Sequence, residues 1–502
     1  MNKKALFFAS VAALALAACN KSEVSAPDVT AEAQKGDVAL NFGAYLGRGV
    51  ATKSGLGGIL DNDGSSGLEG ANLPEQGFGV FAYYNDGEPY SETSKPDFMY
   101  NTKVSSDDSG TTWTYSPLRY WPNEFGNNAI SEDVDRLSFF AYAPYVPVNP
   151  KTGVVVEGAG IVYDKDGGIV GMTRNSDSGD PFVKYIVSFD TYKSVDLCWG
   201  VATSDFDATV DGATFNDVEA DNPYINVVKP TVTSKIDFRF RHALAALNIQ
   251  IDADFDETDH SDSDATDAYS SEDFLANTRI YVRSVSFEGF TTKGALNLNS
   301  SWEDSDGSRT PQWADLGCTG ILSEEPVSVY DGRRDGKEGR NAADVKTESP
   351  LGLNEQLIQR NPYTTTLAAD GLSYSAFNAD NKGVTHELTN LFALSDPTDA
   401  DEIAAPIFVI PTGSDLVMNI VYDVETADPT LAGYLSDGVT HGVSVQNAIS
   451  KSITANGTSL VLEAGKKYTI KMHLGMTSVK FTAEVENWDD QTEEEYWHPI
   501  NS

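Results

Sequence analysis

The chain has 502 residues, of which 40% are hydrophobic, and this content is enough to build buried cores in more than one domain. It carries 75 Asp and Glu residues against 35 Lys and Arg residues, a formal net charge of −40. This excess of negative charge argues against nucleic acid and anionic lipid surfaces as partners.

The first residues are typical of an exported lipoprotein. A basic start, "MNKK", precedes an apolar run over residues 5–18 that has the length of a secretory signal and is too short for a membrane helix. Leu16, Ala17, Ala18 and Cys19 match the lipobox pattern, in which the cysteine sulfur is acylated before cleavage. We therefore expect a signal peptide over 1–18, a lipid on Cys19 that anchors the chain to a membrane, and a polar tether over 19–36. An ordinary signal peptide that happens to lie near a cysteine is the alternative.

The stretch from residue 37 to residue 55 predicts a strand followed by a cleavage site. Val38, Leu40 and Phe42 alternate with polar or small residues, as in a strand with one buried face. Arg48 and Lys53 then precede a glycine-rich segment, which a trypsin-like protease could bind in an extended form. An uncut first strand and linker is the alternative.

Short runs rich in β-branched and aromatic residues continue along the chain, bounded by Gly, Pro, Asn or Asp, and they predict strands of antiparallel β-sandwiches. These runs cover residues 78–84, 136–144, 182–190, 235–252, 279–290, 405–412, 416–426 and 466–488.

A break in this pattern near residue 230 predicts the domain boundary. The segment "NPYINVVKPTVTSK" carries two prolines and leads into the long amphipathic run that begins at Lys235. We expect a first β-sandwich over 37–230, a second over 231–488 and an acidic tail over 489–502.

The sequence offers no catalytic residues, no cofactor motif and no metal site. Its six histidines lack the paired spacing of zinc hydrolases, and His242 is expected to be a packed strand residue rather than a catalytic base. Cys198 and Cys318 either pair in an oxidising compartment or remain thiols.

The aromatic cluster Trp113, Tyr115, Tyr120 and Trp121 allows two interpretations. Such rings either stack on a sugar or pack under the edge of a sandwich. The first would make the protein a glycan-binding module.

Six motifs occur in the order found in the fimbrillin-like (Mfa-like) lipoproteins of type V pili, and the chain resembles that family from about residue 38 to Trp488. They are "FGVFAYY", "WTYSPLRYWP", "LSFFAYAP", "VDLCWGVA", "FRFRHALAALNIQI" and "LEAGKKYTIKMHLGMTSVKFTAEVENW". The resemblance implies two tandem transthyretin-like antiparallel β-sandwich domains after a lipoprotein signal peptide. It also implies proteolytic removal of an N-terminal strand and polymerisation by donor-strand exchange.

A donor strand should alternate like the leader strand and lie near a chain end. Residues 479–485 fit this pattern, with Val479, Phe481, Ala483 and Val485 on one face. The same residues would equally serve as the last strand of the second sandwich.

These features predict a stalk or tip subunit of a fimbria at the cell surface, with other fimbrial subunits as partners and surface receptors or glycans as further candidates. The alternative is an unprocessed lipoprotein that acts as a pilus anchor or binds glycans. An enzyme is not expected.

Overall fold

The computed structural model describes about half of the chain, distributed over its whole length. The described residues are 38–46, 73–85, 88–108, 110–122, 135–156, 163–164, 167–188, 195–203, 209–210, 213–214, 218–228, 235–253, 278–302, 311–316, 327–331, 389–390, 407–427, 442–455, 457–474 and 479–487. Cys19, Arg48, Lys53, Cys318, the predicted signal peptide, the tether and the acidic tail lie outside these residues.

The described residues form β-strands and one short helix, α1 (Leu73–Gln76), so the predicted all-β class is confirmed. In the first half of the chain the strands are β1 (Asn41–Leu46), β2 (Phe78–Asn85), β3 (Met99–Val104), β4 (Arg136–Ala143), β5 (Tyr163–Asp164), β6 (Gly167–Met172), β7 (Phe182–Ile186), β8 (Cys198–Ala202), β9 (Thr209–Val210), β10 (Ala213–Thr214), β11 (Tyr224–Val227), β12 (Lys235–His242) and β13 (Ala245–Ala253).

In the second half they are β14 (Thr278–Glu288), β15 (Phe290–Thr291), β16 (Lys293–Asn297), β17 (Trp313–Ala314), β18 (Val327–Asp331), β19 (Thr389–Asn390), β20 (Ile407–Pro411), β21 (Val417–Ala427), β22 (Gly442–Ser452), β23 (Thr454–Ala455), β24 (Thr458–Ser459), β25 (Lys466–Leu474) and β26 (Val479–Asn487). Within the part of the chain that the structure describes, no helix is long and apolar enough to cross a membrane.

The sheet that contains the N-terminal strand has the order β1-β12-β8-β4-β2-β3, with β11 also paired to β4. Both of its faces are buried, which explains why β4 is an almost continuous apolar run rather than an alternating one. Phe139 and Ala141 of β4 point into one hydrophobic core, and Phe140 and Tyr142 point into the other.

The remaining strands form the second half of the architecture. One sheet has the order β15-β20-β13-β25-β26, a second β18-β14-β21-β22, and a third β17-β16-β7-β6-β5. Their apolar side chains share one core with one face of the first sheet. Trp199 of β8, Trp302 and Tyr468 of β25 lie in this core.

The position of β12 differs from the predicted division at residue 230. The sequence places Lys235–His242 in the second domain, but β12 pairs with β8 and β1 and therefore belongs to the first sheet. The run 235–252 is broken at Ala243 and Leu244, after which β13 joins the sheet of β20 and β25. The third sheet also pairs β7 with β16, across the predicted boundary. The transthyretin-like division into two domains stays a prediction.

Candidate functional site: the leader strand and its groove

Residues 38–46, which we call the leader segment, form an edge of the first sheet. β1 runs parallel to β12, with Asn41 opposite Lys235 and Leu46 opposite Phe240, whereas the other described pairs in this sheet are antiparallel. Just before β1, the backbone N–H of Leu40 donates to the carbonyl of Arg119 (2.9 Å), and the N–H of Trp121 donates to the carbonyl of Val38 (2.9 Å). The leader segment therefore has two backbone neighbours.

The even-numbered residues of the leader segment pack in or against one hydrophobic core. Leu40 is 0% exposed, Phe42 2% and Leu46 0%, while Val38 and Ala44 pack partly buried against the same core. At roughly 1.5–3 kcal/mol for each large apolar side chain, the three buried ones contribute about 5–9 kcal/mol before ordering costs. This burial is enough to hold the segment in place while it remains covalently attached.

We define the leader groove as the surface that this segment covers: the backbone edge of β12 and the rings of Tyr115, Phe139 and Phe238. The Phe42 ring lies 5.3 Å from Tyr115, 6.0 Å from Phe139 and 6.4 Å from Phe238, measured between ring centroids. Without the leader segment, these rings and the outer backbone groups of β12 would face water, which is unfavourable for both.

The wall of the groove opposite β12 is built from the motif "WTYSPLRYWP". The hydroxyl of Tyr115 lies 3.0 Å from the carbonyl oxygen of Leu40 and 3.1 Å from that of Arg119, and it accepts from the N–H of Arg119 (3.2 Å). Burial raises the pKa of Tyr115 to about 12, so the hydroxyl keeps its proton and can donate. Tyr115 thereby ties the leader segment to the wall.

The other rings of this motif are covered to different degrees. Trp121 is 1% exposed and lies 5.9 Å from Phe139, whereas Trp113, which lies 5.2 Å from Phe78, and Tyr120 are half-buried. A sugar platform needs an accessible ring face, so the packing interpretation holds for Trp121, and glycan binding by Trp113 and Tyr120 stays a prediction.

On the face of β1 opposite to Phe42, Gly43 lies beside the carboxyl group of Asp237, its register partner. A Cβ at position 43 would collide with Asp237 Oδ1, so the leader segment has glycine where this carboxyl group lies over the strand. Burial raises the pKa of Asp237, and the charge of Lys235 partly offsets this.

The predicted donor strand lies in β26, at the end of its own sheet. It pairs antiparallel with β25 along its whole length, from Val479 opposite Leu474 to Asn487 opposite Lys466. Val479 is 4% exposed, Ala483 is half-buried and Val485 is 43% exposed. In this conformation the segment serves as the last strand of its sheet, with an incompletely buried apolar face.

A buried polar cluster, which the sequence analysis did not identify as a unit, lies where β8 and β12 meet. His242 Nδ1 is 2.7 Å from Asp196 Oδ2 and 3.3 Å from Cys198 Sγ, and Cys198 and His242 are register partners. Asp196 and Cys198 are in "VDLCW" and His242 is in "FRFRH", so only the pairing of the two strands could have brought them together.

This cluster lacks the geometry of a catalytic triad, because a single imidazole nitrogen faces both the thiol and the carboxylate. Among the described residues, these three donor groups lie close enough together to share a metal ion. However, the 2.7 Å between nitrogen and oxygen is a hydrogen-bond distance, shorter than the roughly 3.3 Å between ligands of tetrahedral zinc. His242 is buried, in the packed position that the sequence predicts, and Cys198 is a buried thiol.

No protein-family model and no curated protein matches this chain. Solved structures do align with most of it. A fimbrial protein from Bacteroides vulgatus aligns at 15% identity over 90% of this chain and 99% of its own, with a TM-score of 0.45. A C-terminally truncated form of the tip fimbrial protein Mfa3 from Porphyromonas gingivalis aligns at 9% identity over 82% of this chain and 95% of its own, with a TM-score of 0.23. Both of these solved structures are of fimbrial proteins.

Proposed function

We propose that this protein is a fimbrial subunit, of the stalk or the tip, that assembles at the cell surface by strand exchange. A protease cuts after Arg48 or Lys53, the leader segment leaves its groove, and a strand from another subunit replaces it. The lipid on Cys19 holds the precursor at the outer membrane until the cut, and the role of the protein is assembly and adhesion rather than catalysis.

The observation that carries this proposal is the placement of the leader segment. It is an edge strand, it fills an apolar groove with Leu40, Phe42 and Leu46, and Arg48 follows the end of β1 after a single glycine. A cut there would separate the strand from the sheet without breaking any other described strand. The groove would then offer apolar pockets and a backbone edge to an extended segment from another subunit.

Mass spectrometry of the mature N-terminus from native cell surfaces tests the proposal. We expect a start at Gly49 or Ser54 and multimers that persist in detergent until boiled. An Arg48→Gln, Lys53→Gln variant should remain uncut and monomeric, whereas Lys151→Gln, which changes an exposed basic residue outside the groove, should be processed normally. A wild-type chain that keeps its lipidated Cys19 and forms no multimers would contradict the polymerising role.

One observation favours an uncut anchor protein as the second candidate. With the leader segment in place, the groove is filled and the first core is closed, so the precursor needs no partner strand. In an anchor protein the leader segment would never be removed, and only the C-terminal strand would pair with a neighbouring subunit.

A further inference from the structure

Two parallel strand pairs lie on one nearly continuous run of chain, residues 235–253, which we call the central run. Among the described strands, β1 pairs parallel with β12 and β13 pairs parallel with β25, whereas the other described pairs are antiparallel. β12 and β13 follow each other with only Ala243 and Leu244 between them. Because parallel pairing is slightly less stable per residue than antiparallel pairing, stability alone does not explain this arrangement.

The joint between β12 and β13 has little slack. Ala243 and Leu244 are both 0% exposed, and two extended residues span at most about 7 Å. The N–H of Ala243 donates to the carbonyl of Leu197 (2.8 Å), and the carbonyl of Leu244 accepts from the N–H of Gly465 (3.0 Å). The joint is therefore held beside the start of β8 and the start of β25. A pull on β12 reaches β13 without first straightening a loop.

β25 ends at the far side of β13 from this joint. Its second residue, Lys467, lies opposite Ala246, and its last residue, Leu474, lies opposite Ala253. A force that enters β13 at the joint and leaves β25 after Leu474 therefore pulls the two strands along their length in opposite directions. This shear geometry loads the hydrogen bonds of the whole pair together. An antiparallel partner would end at the joint instead, and its hydrogen bonds would open one after another.

The buried side chains of this pair oppose sliding of one strand past the other. Ile249 of β13 and Ile470 of β25 are register partners, and both are 0% exposed in the core of the second half. Leu247 and Met472 are 0% exposed in the same core. A slide by one residue would turn these side chains to the other face of the sheet, and a slide by two would move each into a position packed for its neighbour.

We propose that the central run is the tension-bearing element of this protein. Force enters at the edge of β12 that the leader segment covers, passes along the chain into β13, and leaves through β25, with the β13–β25 pair loaded in shear. This inference rests on the proposed function, in which neighbouring subunits hold the chain at the leader groove and at its C-terminal end. It adds a mechanical role for a strand run that lies between those two points.

The sheet β18-β14-β21-β22 lies beside this path and supplies a matched control. The pairing that leads from β12 through β13 to β25 does not pass through β21 or β22. Ile420 of β21 is 0% exposed in the same core as Ile249. Replacing either isoleucine removes the same side chain from the same core, but only position 249 lies in the loaded pair.

Single-molecule force spectroscopy on the uncut full chain tests the geometry. One chain carries handles at Lys235→Cys and Ser478→Cys, and a matched chain carries them at Lys235→Cys and Lys466→Cys. Lys235 is exposed at the start of β12, and Ser478 follows the last residue of β25 by four positions, whereas Lys466 is the first residue of β25. The 235/478 handles therefore load the β13–β25 pair in shear, and the 235/466 handles open it from one end.

Both chains also carry Cys19→Ser and Cys318→Ser, and the remaining native thiol, Cys198, is buried, so the handles attach at the introduced cysteines. We expect a peak unfolding force at least about twofold higher for the 235/478 handles than for the 235/466 handles, because forced unfolding reports the barrier along the direction of the pull. Equal peak forces would overturn the shear geometry.

The two isoleucines test whether the load passes through β13. Ile249→Ala and Ile420→Ala should lower the urea midpoint by comparable amounts, because each leaves a cavity in the same core. With the 235/478 handles, only Ile249→Ala should lower the peak force below the wild-type distribution. If either alanine chain does not fold, Ile249→Val and Ile420→Val are compared in the same way. An equal loss of force from both positions would overturn the inference.

The proposed function is judged separately, from the mature N-terminus and the detergent-resistant multimers. The force experiments use the uncut monomer, so they give a result whether or not the chain polymerises. Shear resistance without multimers would contradict the fimbrial role and leave a mechanically strong surface protein. Multimers without a difference between the two handle pairs would leave the fimbrial role intact and overturn the tension-bearing role of the central run.

Discussion

Asp237 makes the leader strand sensitive to pH. Its carboxyl group is covered in the folded precursor, and this burial raises its pKa above the value it has in an unfolded chain. The folded state therefore binds the proton more tightly. Proton binding by Asp237 therefore stabilises the folded state at low pH, and this contribution is lost as the pH rises through the folded-state pKa.

We therefore expect Asp237→Asn to raise the free energy of unfolding of the precursor at pH 7.5, and this gain to shrink toward zero near pH 4. Urea denaturation of both chains at the two pH values measures the difference, and the comparison cancels the titration of the other carboxyl groups. Asp415→Asn, at an exposed carboxyl group, is the control and should change little at either pH. An equal effect of Asp237→Asn on the free energy of unfolding at both pH values would show that burial does not raise the pKa of Asp237.

Tyr115 ties the leader segment to the wall of the groove through one hydroxyl group. Tyr115→Phe keeps the ring contact with Phe42 and removes the one hydroxyl hydrogen that lies near the carbonyl groups of Leu40 and Arg119, together with the acceptor for the N–H of Arg119. We expect a loss of about 1 kcal/mol in the stability of the precursor and release of the cut leader segment about fivefold faster. Release can be followed by size-exclusion chromatography after limited trypsin treatment, with Tyr120→Phe as the control. Unchanged release from the Tyr115 variant would mean that ring packing alone fixes the wall.

At the scale of the element, the Phe42 ring contributes much of the free energy that keeps β1 in the first sheet. Phe42→Ala would leave a cavity between Tyr115, Phe139 and Phe238, and we expect it to destabilise the uncut precursor by about 3–5 kcal/mol. Chemical denaturation measures this loss. Val154→Ala, at a side chain that is 55% exposed, should cost less than about 0.5 kcal/mol. A similarly small cost for Phe42→Ala would show that β1 is not held through its apolar face.

The strands themselves could be predicted well because their signal is local. Alternation predicted a strand at residues 38–42, which overlaps β1 (Asn41–Leu46) only at its start, whereas the aromatic and β-branched runs match β2, β4, β14, β20 and β21 closely. The parallel partner of β1 could not be predicted, since nothing in residues 38–46 indicates a neighbour at 235–240. For the same reason the boundary was placed before β12: prolines mark a break in the chain, but they do not show which sheet the next strand joins.

The candidate site was predictable in its apolar part and not in its polar part. The alternation of residues 38–42 indicated a buried face, whereas the hydrogen bonds of Tyr115 and the contact of Gly43 with Asp237 arise only when distant segments meet. The cluster of Asp196, Cys198 and His242 depends in the same way on the pairing of β8 with β12.

At the scale of the whole molecule, the formal net charge of −40 opposes assembly of identical chains. Salt screens this repulsion, and the Debye length falls from about 30 Å at 0.01 M to about 8 Å at 0.15 M. We expect trypsin-cut protein to form multimers faster at 0.15 M than at 0.01 M sodium chloride, as followed by light scattering. A rate that falls with salt would indicate that local attraction between opposite charges, rather than net repulsion, controls the encounter.

The parallel pairing of β1 with β12 also has a consequence for the order of folding. Residues 41–46 are synthesised early, yet their partner at 235–240 follows only after much of the first sheet has been synthesised. Closing so long a loop is slow, and we expect β1 to dock last. Each newly made chain would thus pass through a stage in which the leader groove is still open. Pulse-labelling hydrogen exchange during refolding should then show the amides of 41–46 protected after those of β2, β4 and β8.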